Sequence, residues 1–136
     1  MAGKSEGTGV AIFHDRAAFT RALEWMSWLG ALACLIALPL LALLPAGTIE
    51  RTGAGKNIEH FIAYCGTGAL LCFGLATPRR RLIGVLGLIA LAGTLEYAQG
   101  FTATRSSELA QFIASSIGAA TGFAVASVAR ALLRAS

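Results

Sequence analysis

Four apolar runs, separated by short polar segments, set the pattern of this chain. No charged residue interrupts Trp25–Ile49, Phe61–Pro78 or Leu109–Ala129, and Leu82–Thr104 carries only Glu96. Each run meets or approaches the roughly 20 residues that a helix needs to cross a hydrocarbon core of about 30 Å. The pattern predicts an all-α fold: a polytopic membrane protein, a compact bundle of four transmembrane helices over about 22–44, 58–77, 82–100 and 107–130. Residues 22–134 form one transmembrane domain. Residues 1–21, opening with MAGKSEGTG, are expected to be a cytoplasmic segment, partly disordered.

Local signals refine the ends. Asp15 is a candidate cap for a helix entering the membrane through RAAFTRALEW, and the rings of Trp25 and Trp28 suit the headgroup level. Acids at Glu6 and Asp15, and an apolar run that starts late, argue against a signal peptide. Pro39 is expected to kink the first span or loosen its outer end. Asn57 and Ser107 are candidate N-caps for the second and fourth spans. The short PRRR connection makes spans two and three an antiparallel hairpin.

Composition agrees with a membrane chain: 56% of the 136 residues are hydrophobic and 13% charged, with a mean hydropathy of +0.69, outside the range of soluble domains. The net charge of +4 does not indicate nucleic acid as a partner. It comes from Arg79–Arg81 between two apolar runs and from Arg130 and Arg134 at the end, where basic residues set membrane orientation. Cys34, Cys65 and Cys72 fall inside apolar runs without metal-ligand spacing, so no metal and no cofactor are expected.

Eight lysines and arginines flank the ends at the N-terminal segment, the PRRR turn and the C-terminus; three, Arg51, Lys56 and Arg105, lie in the opposite loops. The positive-inside rule then places both termini and Arg79–Arg81 in the cytoplasm. Lys56, Glu59, His60, Glu96, Gln99, Arg105 and Glu108 would all lie toward the outer face.

Glu96 is the centre of that convergence. It stands 15 residues past Arg81, roughly 22 Å along the helix at 1.5 Å per residue, in the outer third of the core. Gln99 shares its face at i+3, with the small residues Ala92, Gly93 and Gly100 around it. His60 and Tyr64, at i and i+4, make a similar polar edge on span two. Lys56, His60, Tyr64, Glu96, Gln99 and Arg105 are therefore the candidate binding residues; were there catalysis, His60 or Glu96 would be its general base. The bland reading competes on equal terms: Glu96 and Gln99 bridge helices and do nothing else.

A stripe of small residues, Ala110, Ala114, Gly118, Gly122 and Ala126, recurs every four positions on span four. Such a stripe lets another helix approach closely. Span three is the expected partner, and a homo-oligomeric face is the alternative.

HFIAY at His60–Tyr64, the basic turn PRRR, EYAQGF at Glu96–Phe101, Arg105, and the later Gly118 and Gly122 resemble the VanZ-like family of small envelope-associated membrane proteins. The likeness spans roughly His60 to Gly122, and its specific part is E-x-x-Q, then Arg six residues on, then Gly thirteen beyond that. The chain departs from the family pattern at Asn57, with Lys56 displaced by one from the usual lysine, at Gln111 in place of Asp, and at Ser115 in place of Asn. The resemblance implies an inner-membrane envelope protein of a family linked to glycopeptide (teicoplanin-type) antibiotic resistance. Three functions fit: a non-enzymatic protein binding membrane lipid or a lipid-linked envelope precursor, an intramembrane enzyme acting on an envelope lipid, and a proton-coupled carrier. Binding is favoured, because no nucleophile–base–orienter set can be named and the second acid of the family pattern is missing.

Overall fold

The computed structural model describes residues 6–44, 53, 55–101 and 108–135, with side chains from Arg16 onward. Among these there are four helices and no strand: α1 (Glu6–Leu43), α2 (Lys56–Gly74), α3 (Pro78–Gln99) and α4 (Leu109–Ala135). Three stretches, Arg16–Leu43 of α1, all of α3 and all of α4, are long and apolar enough to cross a membrane. α2 does not qualify by the same measure. It has 19 residues, and its first turns hold Lys56, Asn57, Glu59 and His60.

Several helix ends differ from expectation. α1 begins at Glu6, before the expected start after Asp15, so Asp15 lies inside the helix and not at its N-cap. No proline occurs before Pro39, and RAAFTRALEW is rich in residues that favour helix. The helix continues through Pro39 for another turn, to Leu43. α2 starts at Lys56 after Gly55, which has φ 90° and offers no side-chain cap; Asn57 is thus a helical residue. Ser107 and Arg105 lie outside the described residues.

The arginine triplet is helical as well. Thr77 caps α3 by accepting a hydrogen bond from the Arg80 backbone N–H at 3.3 Å, and Pro78 follows at the first helical position, where its missing N–H costs nothing. Three cations at a helix N-terminus oppose its dipole. Arg81 resolves this by folding back: its Nε and Nη2 donate to the carbonyls of Leu75 and Ala76 at 2.7 and 2.6 Å. It thereby caps the C-terminal end of α2, where partial negative charge gathers.

The bundle is polar within and apolar without. Ser27, Thr67, Arg81, Glu96, Gln99, Gln111, Ser115 and Arg130 are all buried, whereas Trp25, Met26, Ile36, Ile83, Ile117, Val125 and Leu132 each expose more than half their surface. In water this would be an aggregation-prone surface; in lipid it costs nothing. Ala31, Tyr64, Leu71, Val85, Leu88, Ala92 and Ala119 make the apolar core.

α2 touches all three other helices. Its closest partner is α4, which runs parallel to it. Gly118 faces Phe61 and Gly122 faces Cys65 so tightly that an added Cβ would stand 2.3 and 1.9 Å from their carbonyl oxygens; Gly68 is equally close to the Ala119 carbonyl, at 2.5 Å. The small-residue seam of α4 therefore packs on α2, not on span three as expected. The reason is reciprocal smallness: Cys65, Gly68 and Cys72 give α2 a matching edge, while α3 meets α4 through larger groups such as Phe112 against Gly93.

The strict four-residue stripe also fails at its start. Ala110 is exposed and Ala114 half-buried, and the seam runs instead through Gln111, Ser115, Gly118, Gly122 and Ala126. A period of four drifts off the face of a helix that turns every 3.6 residues, and the alternation of three and four restores it.

Candidate functional site

One end of the bundle gathers the starts of α2 and α4 and the last turns of α3. Because α2 and α4 run parallel and α3 antiparallel, residues distant in sequence meet there. Lys56 Nζ pairs with Glu108 Oε1 at 3.3 Å, both side chains being 42% exposed. One turn deeper, His60 Nδ1 and Ser115 Oγ share a hydrogen bond at 3.2 Å. The His60 ring stacks on Tyr64, with planes 7° apart.

Glu96 lies beside this ladder, only 6% exposed. Its Oε2 accepts from the Glu108 backbone N–H at 3.1 Å, so the carboxylate sits at the N-terminus of α4, satisfying a donor that the helix cannot and matching its dipole. Its Oε1 is buried with no hydrogen-bond partner among the described residues. An unmatched acceptor in an apolar setting costs about 1–3 kcal/mol, more when charged. The Tyr64 phenol lies within electrostatic range of this carboxylate, and Gln99 follows one turn later, 2% exposed.

Five of the six candidate binding residues thus come to the same end: Lys56, His60, Tyr64, Glu96 and Gln99. Arg105 is the sixth and falls outside the described residues, as does its expected pairing with Glu96. Lys56 turns to Glu108 in the described structure and not to Glu96. Glu96 does bridge helices, as the bland reading holds, but one of its oxygens remains open.

Glu108 and Ser115 complete the cluster through their bonds to Lys56, Glu96 and His60, with Gln111 between them on α4 and Thr67 buried deeper on α2. Gln111 is 3% exposed, Ser115 1% and Thr67 1%. For Gln111 and Ser115 the signal is spacing: Ser115 and Gln111 continue the Gly118–Gly122 seam one and two turns toward the polar end. Thr67 is internally satisfied, donating to the Ala63 carbonyl at 2.8 Å. Among the described residues no group of His, Cys, Asp and Glu is arranged to hold a metal.

The opposite end has its own ionic centre. Arg130 donates through Nη1 to the Phe73 carbonyl at 2.8 Å and through Nη2 to Glu24 of α1. Arg81 and Arg130 together therefore close the C-terminal end of α2. Neither Glu24 nor the burial of Arg130 was legible in the sequence, because the contact spans more than a hundred residues.

The chain matches no protein-family model, no curated protein and no solved structure.

Proposed function

We propose that the protein is a multi-pass inner-membrane protein of VanZ-like type, with α2 as its fourth span and the Glu96 end toward the outer face. Its work is to bind a lipid or a lipid-linked envelope intermediate at that end. The observation that carries this reading is Glu96 itself: a carboxylate buried in an inside-out bundle, positioned by the α4 N-terminus, with one oxygen left without a donor among the described residues. A hydroxyl or amine of a headgroup would supply that donor. Lys56 and His60, at the more exposed edge, suit a phosphate of the same ligand, as does Arg105 by its place in the sequence. The eight-to-three distribution of basic residues supports the orientation, and the family resemblance supports the envelope setting.

The test is mass spectrometry of lipid retained by the purified protein. A defined lipid should accompany the parent and fall at least tenfold in Glu96→Gln, which keeps the shape and removes the charge. Equal retention in both would count against the site.

A second reading rests on the His60–Ser115 contact. A hydroxyl 3.2 Å from an imidazole nitrogen is at the distance of a nucleophile–base pair, which would suit an intramembrane enzyme with His60 as general base. Ser115 is 1% exposed and packed in the α2–α4 seam, and this favours the binding reading. Lipid turnover by the parent that vanishes in Ser115→Ala would reverse that preference.

A further inference from the structure

Two buried guanidinium groups at the other end of the bundle stand near a single carboxylate, Glu24, which pairs with Arg130. Arg81 and Arg130 are each 8% exposed. Glu24, Arg130 and Arg134 all lie within electrostatic range of Arg81, and the one salt bridge described there is Arg130 to Glu24. The remaining hydrogen bonds of the two arginines go to the carbonyls of Phe73, Leu75 and Ala76, which satisfy N–H groups without neutralising charge. Arg81 Nη1 carries no bond among the described residues and is not sealed off. The Nε of Arg130 is buried without a partner among the described residues.

The surroundings add to the excess. Arg79 and Arg80, in the same first turn of α3, and Arg134, one turn beyond Arg130, are exposed. Three helices thus bring Arg79, Arg80, Arg81, Arg130 and Arg134 to one corner against Glu24. Such an excess at the edge of an apolar exterior is costly unless an anion joins it.

We infer that this corner is a binding site for a phosphate group, which Arg81 and Arg134 meet and Arg79 and Arg80 screen, while the Arg130–Glu24 pair fixes α4 against α1 beside it. The ligand class is an anionic phospholipid, since the corner opens where the apolar belt of α3 and α4 ends. The site is separate from the Glu96 end and does not depend on the function proposed for it. Neutralising the corner strengthens the closure of α2 against α1 and α4, so occupancy should register as stability.

The experiment is thermal unfolding of the purified full chain in detergent with added phosphatidylglycerol, phosphatidylcholine or inorganic phosphate. Phosphatidylglycerol should raise Tm by about 3–5 °C over phosphatidylcholine. Arg134→Gln, an exposed change that leaves the α2 cap intact, should lose at least half of that difference, each protein being read against its own phosphatidylcholine baseline. Glu96→Gln should keep it whole. A rise of the same size with inorganic phosphate alone would support the phosphate site and assign its source to free anion. Equal responses to the two lipids, or a full response in Arg134→Gln, would overturn the proposal, and so would its loss in Glu96→Gln.

Discussion

The two ends of this bundle solve the same problem with opposite charges. At the Arg130 end, two buried cations bind the carbonyls at the C-terminus of α2; at the Glu96 end, a buried anion binds a backbone N–H at the N-terminus of α4. Each charge is matched to the sign of the helix end it meets. The difference lies in what is left over. Each end keeps one buried polar atom without a partner among the described residues, Arg130 Nε and Glu96 Oε1, but Arg130 has a carboxylate partner in Glu24, whereas no described cation pairs with Glu96. A helix end explains why a charge is tolerated. It does not explain a second, unused carboxylate oxygen, and the binding proposed for the Glu96 end rests on that remainder.

The largest effect should come from the seam that holds the two ends in register. Gly122→Ala puts a Cβ where only 1.9 Å separates it from the Cys65 carbonyl oxygen, a backbone atom that cannot yield without parting α2 from α4. A loss of about 3 kcal/mol, at the upper end of the overpacking range, is expected in thermal or denaturant unfolding. Gly87→Ala is the control: nothing lies within 4 Å of its added Cβ, and removing a mid-helix glycine should stabilise by about 0.5–1 kcal/mol. Equal stability of the two variants would refute close α2–α4 packing.

The ends themselves come next. Arg130→Met strands Glu24 and the Phe73 carbonyl and should cost about 2 kcal/mol, with Glu24→Gln milder at about 1 kcal/mol because that carboxylate is partly solvated. At the other end Glu96→Ala should cost about 1–2 kcal/mol through the freed Glu108 N–H, yet Glu96→Gln should unfold within about 0.5 kcal/mol of the parent, since an amide oxygen can accept the same bond. That near-neutrality is what sharpens the contrast. A severe loss in Glu96→Gln would mean that the charge serves folding, as at the Arg130 end. Smallest of all is Lys56→Gln: the Lys56–Glu108 pair is 42% exposed on both sides, and such pairs contribute roughly 0–1 kcal/mol.

Much of this was legible in the sequence, and unevenly. The four helices follow from the length of the apolar runs, and the meeting of His60, Tyr64, Glu96 and Gln99 at one end follows from strand-like logic applied to helices: alternate direction and count residues. The arginine turn shows in the sequence only as a marker of orientation; that Arg81 is also a structural cap is hidden there, since no local pattern reveals a side chain folding back on the preceding helix. The partner of the Gly118–Gly122 seam is hidden for a similar reason. Short loops make α3 the obvious neighbour of α4, but complementary smallness decided for α2, and Cys65 and Gly68 are unremarkable until set against the glycines. Glu24–Arg130 joins the first and last helices and had no signal in sequence at all.

The measurement that bears most directly on the whole account is the path of α2. It is the helix that apolar length does not mark as a span, and the placing of the two ends on opposite sides of the membrane depends on it. Topology reporters fused after Gly53, after Thr77 and after Ala135 would read each side in turn. The account predicts Gly53 outside, with Thr77 and Ala135 in the cytoplasm, which sets Lys56 and Glu96 at the outer face and Arg81 and Arg130 at the inner one. Gly53 and Thr77 reporting the same side, or an exported reporter at Ala135, would contradict it.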